Sequence, residues 1–190
     1  MTVRTFKSWL IVPIALLLIA CQTTPMNPIT TVKQVDLERF MGDWYVIANL
    51  PTFIERDAYN AVESYRLTDE GTVATTFTFR RGGFDGERKV YTPTGFVLDR
   101  DSNAIWGMQF VWPIKADFRI VNLDAQYTQT IIGRNKRDYV WIMARTPSIP
   151  EADYQAMLPL LAKEGYDIDK IQRVPQRWPP PGQGALSRAA

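Results

Sequence analysis

Histidine is absent from the 190 residues, and cysteine occurs once, at Cys21. The first absence removes the side chain that most often serves as general base, activates a nucleophile or ligates a metal. The second rules out an intramolecular disulfide, so packing and backbone hydrogen bonds must hold the fold. An excess of one charge is missing too. The formal net charge is +2, and residues 1–20 hold Arg4 and Lys7 but no acid, which leaves the remainder at 0. A neutral chain has no electrostatic footprint for nucleic acid. No glycine-rich phosphate cradle is present, and carboxylate pairs such as Asp99 and Asp101 fall in a turn, where they favour turn geometry. These absences argue against an enzyme, and neither a cofactor nor a metal is expected.

What is present begins with a leader. Arg4 and Lys7 precede an apolar run, Trp9 to Ala20, broken only by Pro13. A bilayer span takes about 20 apolar residues, and this run is shorter. A basic start, a short apolar core and a small residue form the pattern of a secretory signal, assigned to residues 1–20. The run ends Leu18-Ile19-Ala20-Cys21, which resembles the bacterial lipobox. That resemblance implies cleavage before Cys21 and lipidation of Cys21 by several acyl chains, enough for stable membrane anchoring. Gln22, not an Asp, follows the cysteine, which resembles the outer-membrane sorting pattern; which face of that membrane is left open. Residues 21–33 read as the lipidated anchor and a tether with Pro25 and Pro28. Residues 34–175 form the folded domain. Residues 176–190 include Trp178-Pro179-Pro180-Pro181-Gly182 and read as an extended Pro-rich tail.

The folded domain reads as strands rich in Val, Ile, Thr and aromatics: Asp43–Leu50, Ala61–Leu67, Val73–Arg80, Val90–Leu98, Ala104–Trp112, Asp117–Asp124, Tyr127–Gly133 and Tyr139–Arg145. Turn residues separate them, as in Asp69-Glu70-Gly71 and Arg81-Gly82-Gly83. Tyr154, Met157, Leu158 and Leu161 then fall on one face of a helix over Glu151–Glu164, with Gly165 as its stop and Pro159 inside it. A short strand, Ile171–Val174, follows. Eight antiparallel strands at short spacing fit either a sandwich or an up-and-down β-barrel, and periodicity alone does not separate them.

Three segments point further. Gly42-Asp43-Trp44-Tyr45, after Leu37 to Met41, is similar to the lipocalin signature at the start of the first strand. Val121 to Tyr127 is similar to a turn of that family carrying Asp and Tyr, and Arg137 to Pro147 resembles its last strand, which ends in an Arg. With the lipobox, the chain resembles the bacterial lipocalins. The resemblance implies an all-β, eight-stranded antiparallel barrel with one C-terminal helix. Gly42, Trp44 and Arg145 then form its closed end. A Trp supplies the area of a plug, and an Arg guanidinium can stack on it for roughly 0.5–2 kcal/mol.

Strand side chains alternate faces. On that basis Trp106, Met108 and Phe110 share an inward face, as do Phe77 and Phe79 with Val73 and Thr75. Tyr139, Trp141 and Met143 share the parity of Arg145. Phe118 and Ile120 are weaker candidates. These residues predict an aromatic, nearly uncharged ligand cavity. Phe53 and Ile54 are candidates for a lid, and Arg56, Arg80, Arg81, Arg88 and Lys89 for a head-group cation. The resemblance implies a fatty acid or lysophospholipid as ligand and the membrane, reached through Cys21, as partner. A structural lipoprotein with a filled barrel and a lipid-modifying enzyme are the alternatives.

Overall fold

The computed structural model describes residues 27–178. The signal peptide, Cys21 and residues 179–190 of the tail lie outside the described residues. A short helix α1 (Leu37–Phe40) opens the domain, capped where the Asp36 carboxylate accepts a hydrogen bond from the Arg39 amide. Strands β1 (Gly42–Leu50), β2 (Ala58–Leu67), β3 (Val73–Arg81), β4 (Arg88–Tyr91), β5 (Thr94–Val97), β6 (Ile105–Val111), β7 (Ile114–Leu123), β8 (Gln129–Gly133) and β9 (Val140–Ala144) follow. Helix α2 (Glu151–Lys163) and the two-residue strand β10 (Gln172–Arg173) complete the chain. Neighbouring strands pair antiparallel in chain order, and β1 pairs with β9 from Tyr45↔Ala144 to Leu50↔Val140, which closes the sheet into a barrel. With β4 and β5 taken as two halves of one strand, eight strands form the wall.

Two apolar layers follow from the alternation of side chains. Inside the barrel lie Trp44, Val46, Tyr65, Val73, Phe77, Phe79, Trp106, Met108, Phe118, Ile120 and Met143. Outside it, Ile47, Ile131, Val140, Ile142 and Ala144 pack against Tyr154, Met157 and Leu161 of α2. Pro159 is exposed, on the side of α2 away from the barrel. The helix stops in a Schellman turn: the Tyr166 amide donates to Leu161 O and the Gly165 amide to Ala162 O. Gly165 has φ +92°, the left-handed geometry that such an end requires.

The strand expected over Val90–Leu98 is divided at Thr92-Pro93. Its register is unchanged across the gap, with Phe77↔Tyr91 on one side and Val73↔Gly95 on the other. What is missing is a donor: Thr75 N donates to Pro93 O, and proline has no N–H to return. Strand β2 begins earlier than expected because its first residues pair with β3 and not with β1, whose ladder to β2 covers only Gly42–Tyr45. The C-terminal segment fills the resulting split. Strand β10 pairs with Ala48 and Asn49. The Val174 amide donates to Ile47 O, the Asn60 amide to Pro175 O, and the Gln176 side chain to Val46 O and Ala61 O. Residues 176–178 therefore lie packed along the barrel wall and do not begin a free tail.

Candidate functional site

One end of the barrel is plugged. Trp44 is fully buried, its indole N–H donates to Phe40 O at 2.8 Å, and the Arg145 guanidinium lies 3.8 Å above its ring. Arg145 also donates to four main-chain carbonyls: Asp43 O at 2.9 Å, Arg39 O at 2.8 Å, Phe40 O at 3.0 Å and Tyr127 O at 3.2 Å. Gly42 has φ +94°, and a Cβ there would stand 3.3 Å from Arg145 Nη1. The three residues expected at this end do meet there. Behind them Phe40, Tyr65, Trp106 and Phe118 form an aromatic stack, with Trp106 and Phe118 face to face at 5.1 Å.

The other half holds a cavity of about 480 Å³ that opens between the β1–β2 loop and the β6–β7 hairpin. Of the expected ligand-facing residues, Phe77, Met108, Phe110, Tyr139 and Trp141 line it, and so does Phe118. Phe79, Trp106, Met143 and Ile120 do not. Trp106 belongs to the aromatic stack, its indole N–H held by Asn103 O at 2.8 Å. Met143 is wholly buried in the barrel interior, and Phe79 packs beside Phe77 and Tyr91. Parity chose their face correctly but carries no information about depth. At β6 alternation itself fails, because a bulge between Met108 and Val111 brings both Phe110 and Val111 to the mouth.

The expectation of a nearly uncharged cavity is corrected: Glu55, Glu63, Asp117 and Arg134 line it as well. Glu63 shares an inward face of β2 with Ala61 and Tyr65, and its carboxylate accepts the Tyr65 hydroxyl. Burial pushes the Glu63 carboxyl up to about 7, the Tyr65 hydrogen bond pulls it down and the charge of Glu55 raises it. Glu55, also buried, ties the β1–β2 loop to the wall. One of its oxygens accepts the Thr52 amide and hydroxyl at 3.0 and 2.6 Å, the other the Trp141 indole N–H at 2.9 Å. Arg134 faces Asp138 at 3.4 Å and Tyr139 at 5.1 Å, and its buried Nε has no partner. Phe53 and Ile54 edge the cavity, whereas Arg56, Arg80, Arg81, Arg88 and Lys89 do not reach it. The alternation of β2 was the signal that could have found Glu63. Glu55 and Arg134 sit in loops and carry no such pattern.

A closed antiparallel barrel, plugged at one end and holding an apolar cavity at the other, defines a small ligand-binding up-and-down barrel. The family model described as Lipocalin-like domain matches residues 35–176, and the chain belongs to the lipocalin family. The outer membrane lipoprotein Blc of Citrobacter freundii is 29% identical to it over 166 residues, which cover 85% of this chain and 92% of that protein. Temperature-induced lipocalin-1 of Arabidopsis thaliana is 28% identical over 167 residues, covering 83% and 88%. Among solved structures, insecticyanin from the tobacco hornworm Manduca sexta superposes with a TM-score of 0.61 at 14% identity, covering 77% of this chain and 83% of that one. Lipocalins are in general binding proteins for small hydrophobic molecules and not enzymes.

Proposed function

We propose that this lipocalin carries a single-chain amphiphile, a fatty acid or lysophospholipid, while an acylated Cys21 holds it at the outer membrane. The observation that carries the reading is the cavity of about 480 Å³, a volume typical of ligand pockets, with apolar walls and a few polar groups. Phe77, Met108, Phe118 and Trp141 supply walls for an acyl chain. Arg134, with its unpartnered Nε, supplies a cation for an anionic head group. The charge of Glu55 disfavours an anionic head group beside it, since like charges repel across a low-dielectric wall, and this supports a head group at Arg134. The bacterial relatives, outer membrane lipoproteins, support the location, and the carrier role fits maintenance of the envelope.

The experiment is mass spectrometry of small molecules released from the protein purified from its native envelope, followed by titration of the delipidated chain with a long-chain fatty acid. Co-purified lipid and saturable quenching or shift of tryptophan fluorescence are expected. A chain that carries no lipid and takes up none defeats the reading.

A further inference from the structure

Five large apolar side chains stand in water at one end of the barrel. Phe53 on the β1–β2 loop is 77% exposed, and on the β6–β7 hairpin Phe110 is 52%, Val111 68%, Trp112 81% and Ile114 70% exposed. The other exposed large hydrophobics among the described residues, Val90, Leu98 and Leu160, belong to neither of these loops. Phe53, Phe110 and Val111 also edge the cavity, so this patch is the lip of the mouth. The hairpin projects. The Asn135 amide of the β8–β9 loop donates to Asp117 at 2.7 Å, and β7 extends three residues beyond that level to Ile114, roughly 10 Å at strand rise. A contiguous apolar patch on a protein surface marks a contact site.

A second, independent observation says what covers it. The first described residues lie at the same end: the Ile29 amide donates to Asn135 Oδ1 at 3.0 Å. From there the chain descends along the wall, the Val32 amide donating to Ile120 O and the Val35 amide to Ser102 O at the closed end. Followed backwards, the chain therefore leaves beside the mouth. Cys21 precedes Asn27 by six residues, a reach of at most about 20 Å. An acyl anchor on that cysteine keeps the open end, not the plugged end, near the bilayer. The rim charges are of both signs, with Arg56, Arg81, Arg88, Lys115 and Lys136 exposed among Asp57, Asp85 and Glu87. The excess of cations is small, so apolar insertion supplies most of the attraction, and a tryptophan at the tip suits the boundary between head groups and acyl chains.

We propose that the mouth faces the membrane, with Phe53 and the Phe110–Ile114 tip seated in the lipid surface, so that a lipid passes between leaflet and cavity without crossing water. The tether half of the argument rests on the acylation of Cys21 proposed above; the tip half does not.

The test uses the mature, acylated chain in vesicles of phosphatidylethanolamine and phosphatidylglycerol containing brominated lipid, which quenches an indole only on near contact. Quenching that largely disappears in Trp112→Phe is the expected result. The unlipidated mature chain, Cys21→Ala without residues 1–20, is expected to sediment with the same vesicles, with little loss in high salt. Trp112→Ser with Ile114→Ser should lower its bound fraction tenfold or more, while Leu160→Ser on α2 leaves it unchanged. Circular dichroism checks that each variant is folded. Unquenched Trp112 in the anchored protein overturns the proposal. So does an unlipidated chain that ignores vesicles and dimerises in solution, for then a second copy covers the patch. If Cys21 proves unacylated but the chain still inserts Trp112, the tip proposal stands and the anchor reading alone falls.

Discussion

A carboxyl shut away from water against apolar walls holds its proton longer than one in solution. Glu63 does so up to about 7 in the folded chain, against 4.5 as its ordinary value. Between those values the folded state binds more protons than the unfolded one. Its contribution is therefore fully present below about pH 4.5 and is lost as pH rises through 7. The groups that face it are Tyr65, which donates to it, and Glu55, whose charge opposes its ionisation. Denaturant unfolding should show a loss of about 2 kcal/mol from pH 5 to pH 8.5, and Glu63→Gln should flatten that slope. The carboxylates of Asp99 and Asp124, whose pKa values are lowered, act at lower pH and in the opposite sense. At the plug, Trp44→Ala removes a buried indole at a cost of roughly 3–5 kcal/mol. Arg145→Ala gives up both its face-on contact with Trp44 and its bonds to four carbonyls. In a double-mutant cycle the pair should couple by about 1 kcal/mol; additive effects mean that the stack at 3.8 Å contributes nothing.

Elements were legible wherever two signals coincided. The strand at β3 alternates cleanly and ends in turn residues, β9 is a short continuous apolar run covered on both faces, and α2 repeats its apolar residues at helical spacing until Gly165 stops it. Two features escaped for separate physical reasons. Pro93 interrupts a ladder without changing its register, which apolar pattern does not show. The split between β1 and β2 is a tertiary feature, and no local pattern says that residues 172–177 close it. That closure makes the C-terminal segment part of the wall. A chain ended after Ile171 loses the Asn60 amide bond to Pro175 O, the Val174 bond to Ile47 O and both bonds from Gln176. Hydrogen exchange should then quicken at Asn60 by at least tenfold, while amides inside α2 exchange as before.

Over the whole molecule, one half of the barrel is filled for stability and the other left open for a ligand. Sequence parity found the inward face but not the boundary between the halves. That boundary depends on ring sizes stacked across strands: Phe40, Tyr65, Trp106 and Phe118 fill the lower half, and the smaller Thr75, Ala116 and Met108 leave space above. Of the cavity charges, only Glu63 lies on a strand whose alternation shows its inward face; Glu55 and Arg134 sit in loops, where parity says nothing. Met108 tests this division directly. It is 5% exposed, lines the cavity and lies opposite Gly95 on β5, where a Cβ would come within 3.2 Å of its sulfur. Met108→Glu sets a fourth carboxyl on a wall that already carries Glu55, Glu63 and Asp117, with no cation in reach among the residues it faces on β5 and β7. An unpaired buried charge is costly, and water drawn in to solvate it displaces an acyl chain. Fatty-acid uptake, followed by tryptophan fluorescence with circular dichroism as the folding check, should fall tenfold or more. The neighbouring Gln109 pairs with Thr94 and does not line the cavity, so Gln109→Glu should bind as the parent chain does. If Gln109→Glu blocks uptake and Met108→Glu does not, β6 is out of register by one residue, and every inward assignment on that strand reverses with it.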